Sequence, residues 1–148
     1  MLSKALWHKS IFYGMKQQII DVVAAVIYDC GGRILACQRP QGKPLAGFWE
    51  FPGGKVEPGE SLGRALQREL QEELALQVTV LDEIYQLTVN TADGNRLLLH
   101  FIRALKQPGS EPVSCENQHF QWQAINQLET LDWLESDKEF VRYLMQPY

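Results

Sequence analysis

The chain has 148 residues, a hydrophobic fraction of 45% and a formal net charge of −4, which suits one globular domain with a buried core. That charge excludes a broad basic footprint for a nucleic-acid polymer, and no apolar run reaches membrane-spanning length. Cys30, Cys37 and Cys115 are odd in number and lack CxxC spacing, which argues against a disulfide framework and for reduced thiols in a cytoplasmic protein.

Residues 1–14 (MLSKALWHKSIFYG) differ in character from the rest of the chain. Trp7, His8 and Lys9 interrupt any signal-peptide core. Two readings stand: Met15 is the true start, or the extension packs through Trp7, Ile11, Phe12 and Tyr13. Residues 15–148 are expected to form a single domain. Ile19 to Tyr28 is a β-branched apolar run and predicts a strand buried on both faces. Asp29-Cys30-Gly31-Gly32 is a turn, and Arg33 to Gln38 returns as a second strand. A polar loop runs from Arg39 to Gly47, then a short strand, Phe48 to Phe51. Gly53 to Glu60 reads as a glycine-rich loop and Ser61 as the N-cap of a helix. Val78 to Leu87 and Leu97 to Leu105 predict strands around the turn Ala92-Asp93-Gly94-Asn95. Lys106 to Asn117 is a loop and Phe120 to Ala124 a last short strand. Leu128 to Leu134 is ambiguous. Ser136 is the predicted N-cap of a final helix from Asp137 to about Met145. The order predicts a mixed sheet flanked by helices, without repeated βαβ units.

The helix after Ser61 carries the chemistry. Leu62, Leu66, Leu70 and Leu74 recur every fourth residue and form a buried stripe. Glu69, Glu72 and Glu73 crowd the opposite surface. Three like charges beside a tight loop repel, whereas a divalent cation neutralises them. A hard cation such as Mg2+ takes oxygen ligands and keeps waters for a phosphate substrate.

Gly54, Glu60, Arg68, Glu69, Leu70, Glu72, Glu73 and Leu76 resemble the Nudix box of the Nudix hydrolase superfamily. That pattern is Gly, five residues, Glu, seven residues, Arg-Glu, an aliphatic, any residue, Glu-Glu, any residue, Gly, an aliphatic. The one departure is Ala75 where the family has glycine. Alanine there predicts a tighter helix exit or a slightly longer helix. Trp49 to Glu57 (WEFPGGKVE) is similar to the MutT branch of the superfamily. The resemblance implies an α/β (α+β) fold, an α/β/α sandwich around a mixed sheet. It also implies hydrolysis of a nucleoside triphosphate with Mg2+, or Mn2+: water attacks the β-phosphorus and leaves a nucleoside monophosphate and pyrophosphate. The MutT-like branch includes 8-oxo-dGTP diphosphatases and (d)CTP pyrophosphohydrolases.

The resemblance also assigns residues. Glu69, Glu72 and Glu73 match the metal-binding glutamates, and Gly54 offers a backbone carbonyl nearby. Arg68 cannot ligate a cation, so its expected work is a bidentate hold on a carboxylate. Glu60 is expected to pair with Arg68 or to sit at the helix N-terminus. Glu116 is similar to the glutamate outside the box that serves as a further ligand or general base; Glu69 is the rival base. Arg39 stands where MutT-like enzymes contact substrate, and Lys55 is a candidate phosphate contact. Glu50 belongs to the MutT-like run, and Phe51 or Trp49 is either a stacking platform for a base or core. Asp137 lies in a segment resembling the one where the branch places Asn or Asp against the base. Ionised, it accepts from the amine of cytosine; protonated, it serves oxidised guanine. The other reading is an aspartate stabilised by a helix N-terminus. Glu139 stands where that segment often has proline. His8, His100 and His119 show no metal-ligand spacing, and His100 reads as a packed or edge histidine.

Two functions of different classes are in competition. The first is a metal-dependent nucleoside triphosphate pyrophosphohydrolase, with no nucleic-acid polymer or membrane partner, acting as a monomer or homodimer. The second is a catalytically silent module of the same fold that binds a nucleotide or a protein; the intact carboxylate set speaks against it.

Overall fold

The structure, a computed structural model, describes residues 17–147. The two readings of residues 1–14 and Met15 lie outside them. Ile19–Tyr28 forms β1 and Ile34–Gln38 forms β2. These strands pair antiparallel at Tyr28 and Ile34 and then diverge. The next segment fills the wedge between them: Trp49–Glu50 (β3) pairs with β2, and Gly53–Lys55 (β4) pairs with β1. Part of the expected glycine loop is therefore strand. A Cβ on Gly53 would lie 1.9 Å from the Val23 carbonyl oxygen, so only glycine lets β4 come this close.

Val78–Asn90 (β5) and Arg96–Lys106 (β6) form a long antiparallel hairpin. β5 runs beyond Leu87 because Val89 continues its half-buried face while Thr88 and Asn90 stay exposed. β6 lies parallel to β1, from Ile19 opposite Arg96 to Tyr28 opposite Leu105. His119–Gln123 (β7) takes the free edge of β2. The seven strands make one mixed sheet.

Successive residues of β1 point to opposite faces, and each face has its own core. Val23, Ala25 and Ile27 pack with Leu66, Leu70 and Leu74 of the helix Leu62–Leu74 (α1). Ala24 and Val26 pack with Phe51, Phe101, Trp133 and Phe140 on the other side, where the helix Glu135–Leu144 (α2) lies. The three α1 leucines are fully buried, and each contributes about 2–3 kcal/mol of transfer free energy before entropy. The result is the expected α+β sandwich. Ile19 departs from the expectation of a strand buried along its length, since the N-terminal end of β1 is exposed. Among the described residues, no helix is long and apolar enough to cross a membrane.

The helix ends correct two expectations. Ser61 Oγ accepts from the Arg64 amide at 3.2 Å, as an N-cap does. At the other end α1 is not lengthened: Ala75 itself turns left-handed (φ 48°, ψ 35°). Its N–H donates to the Gln71 carbonyl, the bond of an αL closure, and that of Leu76 donates to the Leu70 carbonyl. For α2 the N-cap is Leu134 and Ser136 sits inside the first turn. The Leu134 amide donates to the Trp49 carbonyl and the Trp49 amide to that of Asp132, so pairing with β3 fixes where the helix begins. The ambiguous stretch overlaps a 3-10 turn, Ile125–Thr130.

On the α1 side His100 lies buried on β6 between two carboxylates. Nε2 is 2.8 Å from Asp21 of β1 and Nδ1 2.9 Å from Glu83 of β5. Burial lowers the imidazole pKa, but the hydrogen bonds and charges of Asp21 and Glu83 outweigh it and the net shift is upward.

Two stability outcomes are expected. Ala75→Gly removes a left-handed alanine and stabilises the protein by about 1 kcal/mol, read as a higher urea midpoint at unchanged slope. A protonated His100 stabilises the fold below the ordinary imidazole pKa of about 6.5, and this is lost as pH rises through its raised folded value. The stability gap between wild type and His100→Gln in urea titrations therefore narrows from pH 6 to pH 9; a constant gap would contradict a charged His100.

Candidate active site

Where β1 and β2 splay apart, the sheet opens into a cleft of about 320 Å³. Its apolar wall includes Val22, Ala24, Leu97 and Leu99; its charged lining is Arg39, Lys43, Glu50, Glu73, Glu116 and Asp137. Strands β1, β3 and β6, helices α1 and α2 and two loops thus meet at one opening.

Below it, Arg68 organises the acidic face of α1. Its Nε and Nη2 hold Glu60 bidentately at 2.7 and 2.9 Å. Nη1 reaches Glu69 at 3.0 Å and Glu72 at 3.4 Å, and Nη2 also donates to the Lys55 carbonyl at 3.0 Å. The guanidinium and the Glu57 amide hold the Glu60 carboxyl well below the usual range, at about 2. Gly54 lies directly against Glu69: a Cβ there would come within 2.5 Å of the Glu69 carboxyl.

Glu73 lacks such a partner. Burial, then the charges of Glu69, Glu116 and Glu50, push its carboxyl up to about 8. The same burial, with Glu73 and Glu50, raises the Cys37 thiol beside the cleft, so it stays neutral. Glu116 reaches Glu73 because its loop is fastened to the end of α1. The amides of Val113 and Cys115 donate to the carbonyls of Leu74 and Glu73 at 2.7 and 3.0 Å, groups that the helix leaves without internal partners. Gln118 completes the fastening: its Nε2 donates to the Glu73 carbonyl at 2.9 Å and its Oε1 accepts from the Glu116 amide at 3.0 Å.

The remaining wall comes from α2 and β3. Asp137 is only 6% exposed. Burial, then Glu50, raises its carboxyl to about 8, against the opposing effects of Arg39 and a bond from the Phe51 amide. Arg39 donates from Nε to Glu50 at 3.1 Å and from Nη1 to the Pro44 carbonyl at 3.2 Å. Burial raises the Glu50 carboxyl, and Arg39 and Lys43 oppose it. Phe51 lines the cleft but is 5% exposed, with its ring stacked on Trp133 at 4.7 Å, so it packs as core.

The cleft thus brings together Arg39, Glu50, Phe51, Gly54, Glu73, Glu116 and Asp137. Glu69 borders it through Gly54 and Glu73. Lys55 and Glu72 are exposed and outside its lining. Two lining residues, Lys43 and Gln118, were not picked out from the sequence. Gln118 carries a signal only in its place two residues after Glu116, and Lys43 only in its place in the proline- and glycine-rich loop.

Among the described residues, no three His, Cys, Asp or Glu side chains are already gathered as a coordination set. The donors nevertheless fit a hard cation. Glu69, Glu73, Glu116 and the Gly54 carbonyl are all oxygen, and Glu73 is raised by its burial and then by the carboxylates around it.

The NUDIX domain family model matches residues 19–144. The chain is 33% identical to the putative 8-oxo-dGTP diphosphatase 2 of Mycobacterium tuberculosis strain H37Rv over 132 residues, 86% of this chain and 87% of that protein. It is 56% identical to the CTP pyrophosphohydrolase of Escherichia coli K12 over 63 residues, which spans 43% of this chain and 46% of that protein. Among solved structures it is similar to the E. coli ORF135 protein, with 34% identity, a TM-score of 0.75, and 87% and 90% of the two chains covered.

Gly54→Ala tests the contact with Glu69. The added methyl displaces the carboxylate, and the affinity for a divalent cation falls about tenfold or more. Calorimetric titration with Mg2+ and Mn2+ reads it, with circular dichroism as the control for folding.

Proposed function

We infer the reaction from the premise that this chain belongs to the NUDIX family: it is a MutT-like hydrolase of nucleotides. The finer reading is that it converts a nucleoside triphosphate to the monophosphate and pyrophosphate, with 8-oxo-dGTP as substrate in nucleotide-pool sanitation. One observation supports this above the rest: Glu73 and Glu116 share a single cleft with the buried Asp137. Phosphoryl chemistry and base recognition then fall within reach of one ligand.

Hydrolases of this family use a divalent metal, and Mg2+ is the proposed ion, with Mn2+ as a substitute. Glu69, Glu73, Glu116 and the Gly54 carbonyl would hold it; Glu72, now bound to Arg68, is the reserve ligand. The chemistry supplied by the bound ion is neutralisation of phosphoryl oxygens and a more acidic water. Arg68 fixes Glu69 and Glu60, so their carboxylates need little rearrangement during turnover. Glu116 and Glu69 are the two candidate bases for the attacking water. Arg39 and Glu50 shape the substrate wall. Lys55, exposed beside the cleft, would reach only an outlying phosphate oxygen. The three free cysteines suit a reducing, cytoplasmic setting.

Asp137 bears on the base. With its carboxyl raised to about 8, it is protonated at neutral pH and presents one donor beside one acceptor. That weighs against an acceptor-only contact with cytosine. A neutral acid matches a base edge with a carbonyl next to an N–H, as oxidised guanine offers. The second reading, (d)CTP, draws on the 56% identity to the E. coli CTP pyrophosphohydrolase over 63 residues.

A panel of 8-oxo-dGTP, dGTP, dCTP and CTP with Mg2+ tests the assignment. Pyrophosphate should be released fastest from 8-oxo-dGTP, and Glu73→Gln should lower kcat at least about 100-fold. A lead for dCTP or CTP favours the second reading; tight binding without turnover would point to a silent module. Asp137→Ala is expected to change the ranking of bases more than the maximal rate. Because the protonated acid is the working form, kcat/KM for 8-oxo-dGTP declines above about pH 8. Asp137→Asn should lose that alkaline limb.

A further inference from the structure

We propose that Lys43 is a phosphate-binding residue of this cleft, its ammonium passing from Glu116 in the free protein to a non-bridging oxygen of the bound triphosphate. The proposal rests on the reading of the cleft as a nucleoside triphosphate site. Lys43 Nζ stands 3.7 Å from Glu116 Oε2, with both side chains about half exposed. A contact of that length between exposed groups contributes little to stability and is readily exchanged.

The loop that carries the lysine is well fixed. Its base is closed by the Arg39 amide on the Phe48 carbonyl and the Gly47 amide on the Arg39 carbonyl, at 2.9 and 3.0 Å. Gln38 Nε2 holds the Gly47 carbonyl at 2.9 Å, and Arg39 Nη1 holds that of Pro44 at 3.2 Å. The Lys43 amide turns back to the Pro40 carbonyl at 3.4 Å. A rigid loop thus delivers a flexible cation to the mouth.

Charge explains what the cation is for. A triphosphate entering the cleft meets the carboxylates of Glu50 and Glu116, which repel it. Among the described residues lining the cleft, the cations are Arg39 and Lys43. Arg39 already gives Nε to Glu50 and Nη1 to a backbone carbonyl. Lys43 offers three N–H donors and has one long contact. An ammonium on a flexible stem suits phosphate oxygens, which need a point charge and no fixed plane. A triphosphate carries more negative charge than the single Glu116 carboxylate and so competes with it for the lysine.

Lys43→Gln and Lys43→Arg test this by steady-state kinetics and by calorimetry with a non-hydrolysable nucleoside triphosphate analogue. In Lys43→Gln, KM for the nucleotide and Kd for the analogue should rise about tenfold, with kcat within about twofold and melting close to wild type. The effect should shrink at high salt, and Lys43→Arg should restore most of the affinity. Unchanged KM and Kd in Lys43→Gln would overturn the proposal. So would a change confined to the half-saturating Mg2+ concentration, which would make the lysine only a restraint on Glu116. A wild type that hydrolyses no nucleotide would refute the functional reading instead, and the analogue titration still decides the role of Lys43.

Discussion

The site depends on how a single guanidinium divides the carboxylates of α1. Arg68 faces Glu60, Glu69, Glu72 and the Lys55 carbonyl at once. On its side, negative charge is compensated within the protein, and Glu60 is held ionised. On the far side Glu73, Glu116 and Glu50 confront one another and Glu73 is pushed up to about 8. The acidic face is therefore graded: one side is neutralised by the protein, and the other is left uncompensated where the proposed cation would sit. Like-charge repulsion on that side would become attraction with a cation bound there.

Backbone groups bring the distant residues to that face. Helix α1 ends with carbonyls that lack internal partners, and the 113–118 segment supplies donors to them. The same bonds that close the helix carry Glu116 to Glu73. On the other wall, mutual backbone bonding between Trp49 and the 132–134 segment sets the start of α2 and so the place of Asp137. The positions of the residues proposed for substrate selection and phosphate chemistry thus rest on tertiary hydrogen bonds at element ends, and the sheet provides the opening between them.

Much of this was legible in the sequence. The β-branched run of β1, the leucine stripe of α1, the hairpin turn at Ala92 to Asn95 and the spacing of Gly54, Glu60, Arg68 and Glu69 carry local signals that the structure keeps. Other features have no local signal. Gly53 to Lys55 looked like loop because its strand character comes from pairing with β1. Ser136 had the chemistry of an N-cap, but a backbone bond at Leu134 starts the helix earlier. Lys43 and Gln118 matter through partners far away in the chain, Glu116 and Glu73, and no periodicity marks such pairs. Burial was also invisible: the sequence left Asp137 open between a helix-start aspartate, an ionised acceptor and a protonated acid, and its enclosure favours the neutral acid.

The parallel seam between β1 and β6 has a consequence for how the molecule is made. β1 is among the first described elements to leave a ribosome, yet its partner along its whole length begins at Arg96. Until β6 emerges, one edge of β1 has only solvent to bond, and closing so long a loop is slow. The whole acidic helix is synthesised before that seam can zip, and α2 comes later still. A nascent chain therefore holds the acidic motif of α1 well before it has a cleft. The enclosing wall, including the residue read as choosing the base, is among the last parts in place.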